Sequence, residues 1–345
     1  MIIHIYDMKQ LSVILSFLIL CFEGCAPKMN AEFVQLSGKA QGSSYHISYQ
    51  NTTNKDYRKS VDSLLLAFDK SLSAWDSTSI LSRINANDTT VQINHALLVA
   101  YAKALEINIL SKGAFDITVG KVVRAWGFGP GPKAKHDSAY IKSLLPYVGM
   151  KNIKLVGNKL KKSSPEVILD FNALAQGYSV DLVAEFFDKQ GIKNYMIEIG
   201  GEIRAKGIST HNRDWRIGID KPDDSNQQAG ENIQEVIAFT NLSVSTSGNY
   251  RKHFEENGIK YAHTINPKTG QPARNTLLSA TVVTPDCITA DALATTFMVL
   301  GLEKSKELLT KLQHVEVYFV YSGTNGEYLT YYTEGLKKMI VNSDK

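Results

Sequence analysis

The sequence predicts an α+β fold built as one large domain. Segments of helical periodicity and segments of strand alternation come in mixed runs, which favours α+β over a doubly wound parallel sheet. The chain has 345 residues, ample for a sizeable core, and shows no linker long enough to force a domain boundary. Hydrophobic residues make up 43% and charged residues 21%, which excludes a disordered chain, a collagen and a disulfide-dense miniprotein.

The elements follow in chain order. Residues 11–22 (LSVILSFLILCF), behind Lys9, match a signal-peptide core and are too short to cross a bilayer. They lead to Gly24-Cys25, the layout of a bacterial lipoprotein signal, with a plain secretory signal as the alternative. Residues 1–24 are therefore expected to be a signal peptide and residues 25–35 a tether from a lipidated Cys25. The folded domain is expected over residues 36–340. That predicts an exported protein, lipid-anchored to the bacterial membrane on its periplasmic side. Val34 to Tyr49 reads as two strands around Gly38 and Gly42. Val61, Leu64, Leu65, Phe68 and Leu72 recur at helical spacing over about Asp56–Ser73. Further helices are predicted over His95–Lys112, closed by Gly113, and over Thr118–Trp126. Val167–Leu169 reads as a strand running into a helix over Asn172–Gly191. Strands then dominate, at Tyr195–Ile199, Trp215–Asp220, Val236–Thr240, Tyr261–Ile265 and Ser279–Thr284. A helix begins after Thr289, another covers Glu303–Gln313, and a hairpin Val315–Tyr321/Glu327–Tyr332 closes the chain.

Lys plus Arg total 38 against 34 for Asp plus Glu, a net charge of +4. Loss of residues 1–24 removes Lys9, Asp7 and Glu23 and raises it by one. No run of five or six basic residues occurs, so no nucleic acid partner is expected. The cysteines at 21, 25 and 287 form no Cys-x-x-Cys pair, which excludes zinc-ribbon and thioredoxin chemistry.

Four clusters can carry chemistry. Gly113-Ala114-Phe115-Asp116-Ile117-Thr118-Val119-Gly120, followed by Trp126-Gly127-Phe128, places glycines at a helix junction whose amides can meet a ligand. A helix cap over a core Phe explains it equally. Asp170-Phe171-Asn172 opens a helix, where a carboxylate beside free amides suits a nucleotide, or merely caps the helix. His263 sits on a strand before Asn266-Pro267-Lys268-Thr269-Gly270 and is either a reactive imidazole or a satisfied structural one. Thr289 reads as an N-cap, with Asp291 and Thr295 one turn apart behind it. Such a carboxylate and hydroxyl suit Mg²⁺, or the acid simply complements the helix dipole.

Their order decides between these readings. Gly38–Ser43 (GKAQGS), Ser79–Asn85 (SILSRIN), GAFDITVG with WGF, DFNALAQGYSVD from Asp170, EIGGEI from Glu198, TSGNY from Thr246, HTINPKTGQP from His263 and ADALATTFMVLG from Ala290 succeed one another over residues 38 to about 301. This series resembles the ApbE family, the FAD:protein FMN transferases. The resemblance implies a roughly T-shaped α+β domain with an FAD cleft and Mg²⁺. It puts FAD contacts at Gln41, Trp75, Ala114, Phe115, Asp116, Asp170, Gln176 and Ile265. Metal ligands would be the Ala173 carbonyl, Asp291 and Thr295, with the backbone of Ala294. Gln41-Gly42-Ser43 departs from the usual Met-Gly-Thr, Gln176 from Lys or Glu, and Asn266 from Asp.

The implied reaction is Mg²⁺-dependent transfer of FMN from FAD to a Thr or Ser hydroxyl of an acceptor protein, releasing AMP, with His263 as the general base. The implied acceptors are flavin subunits of membrane redox complexes, such as Na⁺-translocating NADH:quinone reductase. Two other expectations stand beside it: a Mg²⁺-dependent FAD pyrophosphatase, and an FAD-binding lipoprotein without turnover.

Overall fold

A computed structural model describes residues 32–130, 137–222, 230–249, 253–256, 259–262 and 264–342. In chain order the elements are β1 (Phe33–Ala40), β2 (Ser43–Gln50), α1 (Arg58–Leu72), α2 (Ile80–Asn85), α3 (His95–Leu110), α4 (Gly120–Ala125) and α5 (Ser138–Leu144). A small hairpin, β3 (Ile153–Val156) and β4 (Lys159–Lys162), precedes the long helix α6 (Asn172–Lys189). Then come β5 (Tyr195–Ile199), β6 (Glu202–Lys206), β7 (Trp215–Asp220), β8 (Ile233–Phe239), β9 (Leu242–Gly248), β10 (His253–Glu256), β11 (Ile259–Ala262) and β12 (Leu277–Thr284). The chain ends with α7 (Cys287–Leu300), α8 (Leu302–Leu309), β13 (Glu316–Ser322), β14 (Tyr328–Tyr332) and α9 (Glu334–Lys337).

Eight strands form one antiparallel sheet in the order β1-β2-β5-β6-β9-β12-β13-β14. Its strands alternate as the pleat demands. In β2, Tyr45, Ile47 and Tyr49 are buried against Val180, Val183, Ala184 and Phe187 of α6. Further along, Ala280 and Val282 of β12 meet Leu293 and Phe297 of α7. The opposite face is covered by the β7–β8 pair, whose Trp215, Ile237 and Phe239 pack on Val244, Val283 and Tyr318. Helices α6 and α7 thus lie side by side on one face, and their crossing positions the site.

Two details make that crossing close. A Cβ at Gly177 would overlap the carbonyl oxygen of Cys287 and come within 2.7 Å of Asp291 Cβ, so only glycine fits there. One turn on, Asp181 accepts the amides of Cys287 and Ile288, both at 2.9 Å, and pairs with the Arg204 guanidinium. Asp181 thereby satisfies two of the four amides that the start of α7 leaves without helical partners.

Several expectations are corrected. The N-cap of α7 is Asp286, which accepts the Thr289 amide at 3.0 Å, so the helix starts two residues before Thr289. Gly38 lies inside β1, where the Tyr45 ring takes the space of a side chain. The turn is Gln41-Gly42, with φ of 52° and 74°, the left-handed pair of a two-residue hairpin. Val167–Leu169 is no strand. Its single bridge joins Ile168 to Val119, because Leu169 spends its backbone groups on the Asn85 side chain. The expected Tyr261–Ile265 strand is β11, ending at Ala262, and Ile265 bridges Pro272 instead. Helix α2 was not expected, since six residues are too few to show a period. Ser79 caps it by accepting the Ser82 amide at 3.0 Å.

In the β3–β4 hairpin Lys162 turns inward, with Nζ 3.3 Å from the Asn85 carbonyl. Burial, with Arg124 nearby, pushes its ammonium down to about 8. Its native value lies below the unfolded one, so holding the charge penalises the fold fully below pH 8. That penalty fades as pH rises towards the unfolded value. Lys162→Met should therefore raise unfolding free energy in urea at pH 7, and the gain should shrink at pH 9.5. Gly177→Ala should lose about 1–3 kcal/mol by overpacking. Asp181→Ala, which strips a carboxylate from a buried pair, should lose about 3–5 kcal/mol in the same urea titration.

Candidate functional site

The site is assembled at the start of α6. Asp170, just ahead of the helix, accepts the Asn172 amide at 2.8 Å, while its own amide is held by the Ile117 carbonyl at 2.7 Å. Burial pushes the Asp170 carboxyl up, against the Asn172 hydrogen bond and the nearby Arg124 charge. Asn85, at the end of α2, makes both hydrogen bonds to Leu169, at 2.9 and 2.8 Å. This pairing docks α2 beside Asp170. The loop before it is pinned by Ser79 and Ser82, whose hydroxyls both donate to the Ser73 carbonyl.

That loop presents Trp75, which is 67% exposed. It stands in a cleft shared with Ser82, Asn85 and Arg124. An indole left this open has no packing role, and its face is free to stack on a planar ring. Among the described residues Arg124 has no ion-pair partner.

The second part of the site lies one to two turns along α6. Asp291 Oδ2 accepts the Gly177 amide at 2.9 Å. In a regular helix that amide belongs to the carbonyl of Ala173, so carboxylate and carbonyl meet about one N–H. Thr295, one turn beyond Asp291, has its hydroxyl 3.3 Å from that of Ser247 in β9. Carboxylate, hydroxyl and carbonyl oxygens form a hard donor set suited to Mg²⁺. Among the described residues no three His, Cys, Asp or Glu side chains gather as a metal cluster. Ala294 is fully buried inside α7, so only the spare lone pair of its carbonyl could contribute.

Two hairpin turns close over this end of α6. Gln41-Gly42 and Gly200-Gly201 all have positive φ, and the Gly200 amide is bonded to the Ser44 carbonyl at 3.0 Å. The Ser179 hydroxyl, in α6, lies 3.3 Å from Gln41 Oε1. Gln176 fills the space that a side chain at Gly200 would need. Among the described residues Gln41 Nε2 and Asn249 Oδ1 are buried without a partner, and such atoms call for a polar ligand.

The remaining expected residues Ala114, Phe115, Asp116 and Ile265 are buried. Asp116 is buried and accepts from the Thr118 amide and hydroxyl, the Met150 amide and Asn108 Nδ2. Burial pushes its carboxyl up, and those donors oppose the shift. With four internal donors it fastens the α3–α4 junction, and Ala114 and Phe115 are buried beside it. Ile265 is buried with Val122, Ala125 and Trp126 under the Trp126 Nε1 bond to Gly270. His263 lies outside the described residues. Sequence reasoning passed over Ser247 and Arg124. Ser247 lay in a quoted motif, but nothing local showed that it would face Thr295.

Comparison with known proteins matches this architecture. The ApbE family profile covers residues 41–319. The chain is 36% identical to the FAD:protein FMN transferase of Haemophilus influenzae, over 91% of this chain and 93% of that protein. It is 37% identical to the Vibrio cholerae protein of the same name, over 83% and 86% of the two chains. Among solved structures, the flavin transferase ApbE from Vibrio cholerae superposes with a TM-score of 0.81 at 34% identity, over 90% of this chain and 99% of that one. The apo form of Pseudomonas stutzeri flavinyl transferase ApbE gives 0.78 at 30%, over 89% and 96%. With fold, motif order and similarity over most of the chain in agreement, the chain belongs to the ApbE family.

Proposed function

We propose that this protein transfers FMN from FAD to a Ser or Thr hydroxyl of an acceptor protein and releases AMP. The observation that carries the reading is the Asp291–Gly177 contact, which sets a carboxylate from α7 against the first turns of α6. The names of its relatives support the same chemistry.

Asp291, Thr295 and the Ala173 carbonyl would hold Mg²⁺, with Ser247 adjoining. When bound, the ion offsets charge on the diphosphate oxygens. Trp75 stacks on the flavin ring, and Gln41 Nε2 donates to an acceptor atom of the dinucleotide. Gln176, held against Gly200, lines the same end without adding charge. The acceptor's hydroxyl oxygen attacks the flavin-side phosphorus, and the bond to the bridging oxygen breaks. AMP departs with the electron pair. His263 is assigned as the base that takes the hydroxyl proton. The exported location, the anchor at Cys25 and acceptors of the membrane redox type belong to this proposal.

The test is incubation with FAD, Mg²⁺ and a flavin subunit of a Na⁺-translocating NADH:quinone reductase. Fluorescent acceptor in a denaturing gel supports transfer, whereas FMN and AMP with an unlabelled acceptor indicate a pyrophosphatase. Asp291→Ala should cut Mg²⁺-dependent labelling at least about a hundredfold, more than loss of a group that merely orients a ligand. Undiminished labelling would refute the metal assignment. Trp75→Ala should weaken FAD binding by about fivefold to a hundredfold in fluorescence titration. Its unfolding free energy should stay within about 0.5 kcal/mol of the parent's, because the indole is exposed.

A further inference from the structure

The excess positive charge of this chain comes from one segment. From Ser138 to Pro165 there are six lysines and no Asp or Glu, and the rest of the chain is net negative. Folding concentrates these charges. In the β3–β4 hairpin Lys154 lies directly opposite Lys161, and Val156 opposite Lys159, on the outer face. Ile153 and Leu160 turn to the core. Like charges directly opposed across a strand pair destabilise it. Neither Lys154 nor Lys161 has an ion-pair partner among the described residues, and both are exposed. Among the described residues no ion pair offsets the repulsion.

The hairpin also adjoins the cleft. Lys162 Nζ is bonded to Asn85, which lines the cleft with Trp75 and Arg124. Lys159 Nζ donates to the Thr89 carbonyl at 2.7 Å and ties the hairpin to the loop after α2. On the exposed face Val156 is 49% accessible, an apolar contact among cations.

We infer that the outer face of the hairpin, Lys154 and Lys161 with Val156, is the docking ledge for an acidic segment of the acceptor polypeptide. This rests on the proposed function only for the existence of a protein acceptor. An acidic segment can pair its carboxylates with the two opposed lysines and set an apolar side chain on Val156. The face joins two cations to one apolar side chain, the complement of carboxylates flanking an apolar residue, so a polypeptide is the occupant.

Lys161→Glu tests the ledge, because it makes the cross-strand pair attractive. The thermal midpoint should rise, while binding of a fluorescein-labelled oligoglutamate peptide to the full-length protein weakens on the order of tenfold at low salt. FAD affinity should hold. Lys304→Glu, on α8, should leave peptide binding as it was. The ledge is overturned if Lys161→Glu binds the peptide as well as the parent does, or if Lys304→Glu weakens it equally. It is also overturned if the variant loses phosphatidylglycerol vesicles but keeps the peptide. Peptide binding needs no turnover, so failed flavin transfer with charge-dependent binding would count against the proposed reaction and not against the ledge.

Discussion

Helices α6 and α7 approach as closely as they do because position 177 carries no side chain, and the site depends on that approach. Each helix then supplies a buried carboxylate to the backbone of the other. Asp181 of α6 takes the first amides of α7, and Asp291 of α7 takes the Gly177 amide of α6. A buried carboxylate is tolerated only when donors replace the water it has lost. Here the donors are backbone groups already fixed by the helices, with Arg204 added on one side. The interactions that hold the two helices together are therefore the ones that fix Asp291 and Thr295, so stability and site geometry share one origin.

Around this rigid pair the fold leaves selected polar atoms open. Two hairpin turns, Gln41-Gly42 and Gly200-Gly201, place Gln41 and Gln176 over the start of α6. Among the described residues Gln41 Nε2 and Asn249 Oδ1 remain buried and unpaired, a cost that binding a polar ligand would remove. Asp116 shows the opposite arrangement. Its oxygens accept from internal donors and hold the junction that carries Phe115 and Thr118. The exposed indole of Trp75 completes the contrast: apolar surface is left in water where a flat ligand can cover it.

Charge is distributed in the same divided manner. The modest net value of the whole chain hides a wholly basic stretch, and the hairpin turns that stretch into a face. One lysine of the stretch, Lys162, goes inward towards the cleft, while two stay outward against each other. A surface whose like charges work against their own hairpin is best understood through what it meets.

Periodicity alone located the long helices α1, α3 and α6, strands β2, β5, β7 and β12, and the closing hairpin, because burial repeats every two or every three to four residues wherever a segment packs on one face. The order of motifs gave the family, and Asp291 with Thr295 was legible as a pair one helical turn apart. What the sequence could not carry was contact between residues far apart along the chain. Gly177 meets Asp291 across 114 positions, and Asp181 meets the Cys287 amide across 106. The cap at Asp286, the Asn85–Leu169 pairing that replaced an expected strand, the openness of Trp75 and the opposition of Lys154 to Lys161 were likewise settled by packing. Local pattern records which face of a segment is buried. Only the assembled fold decides what that face is buried against.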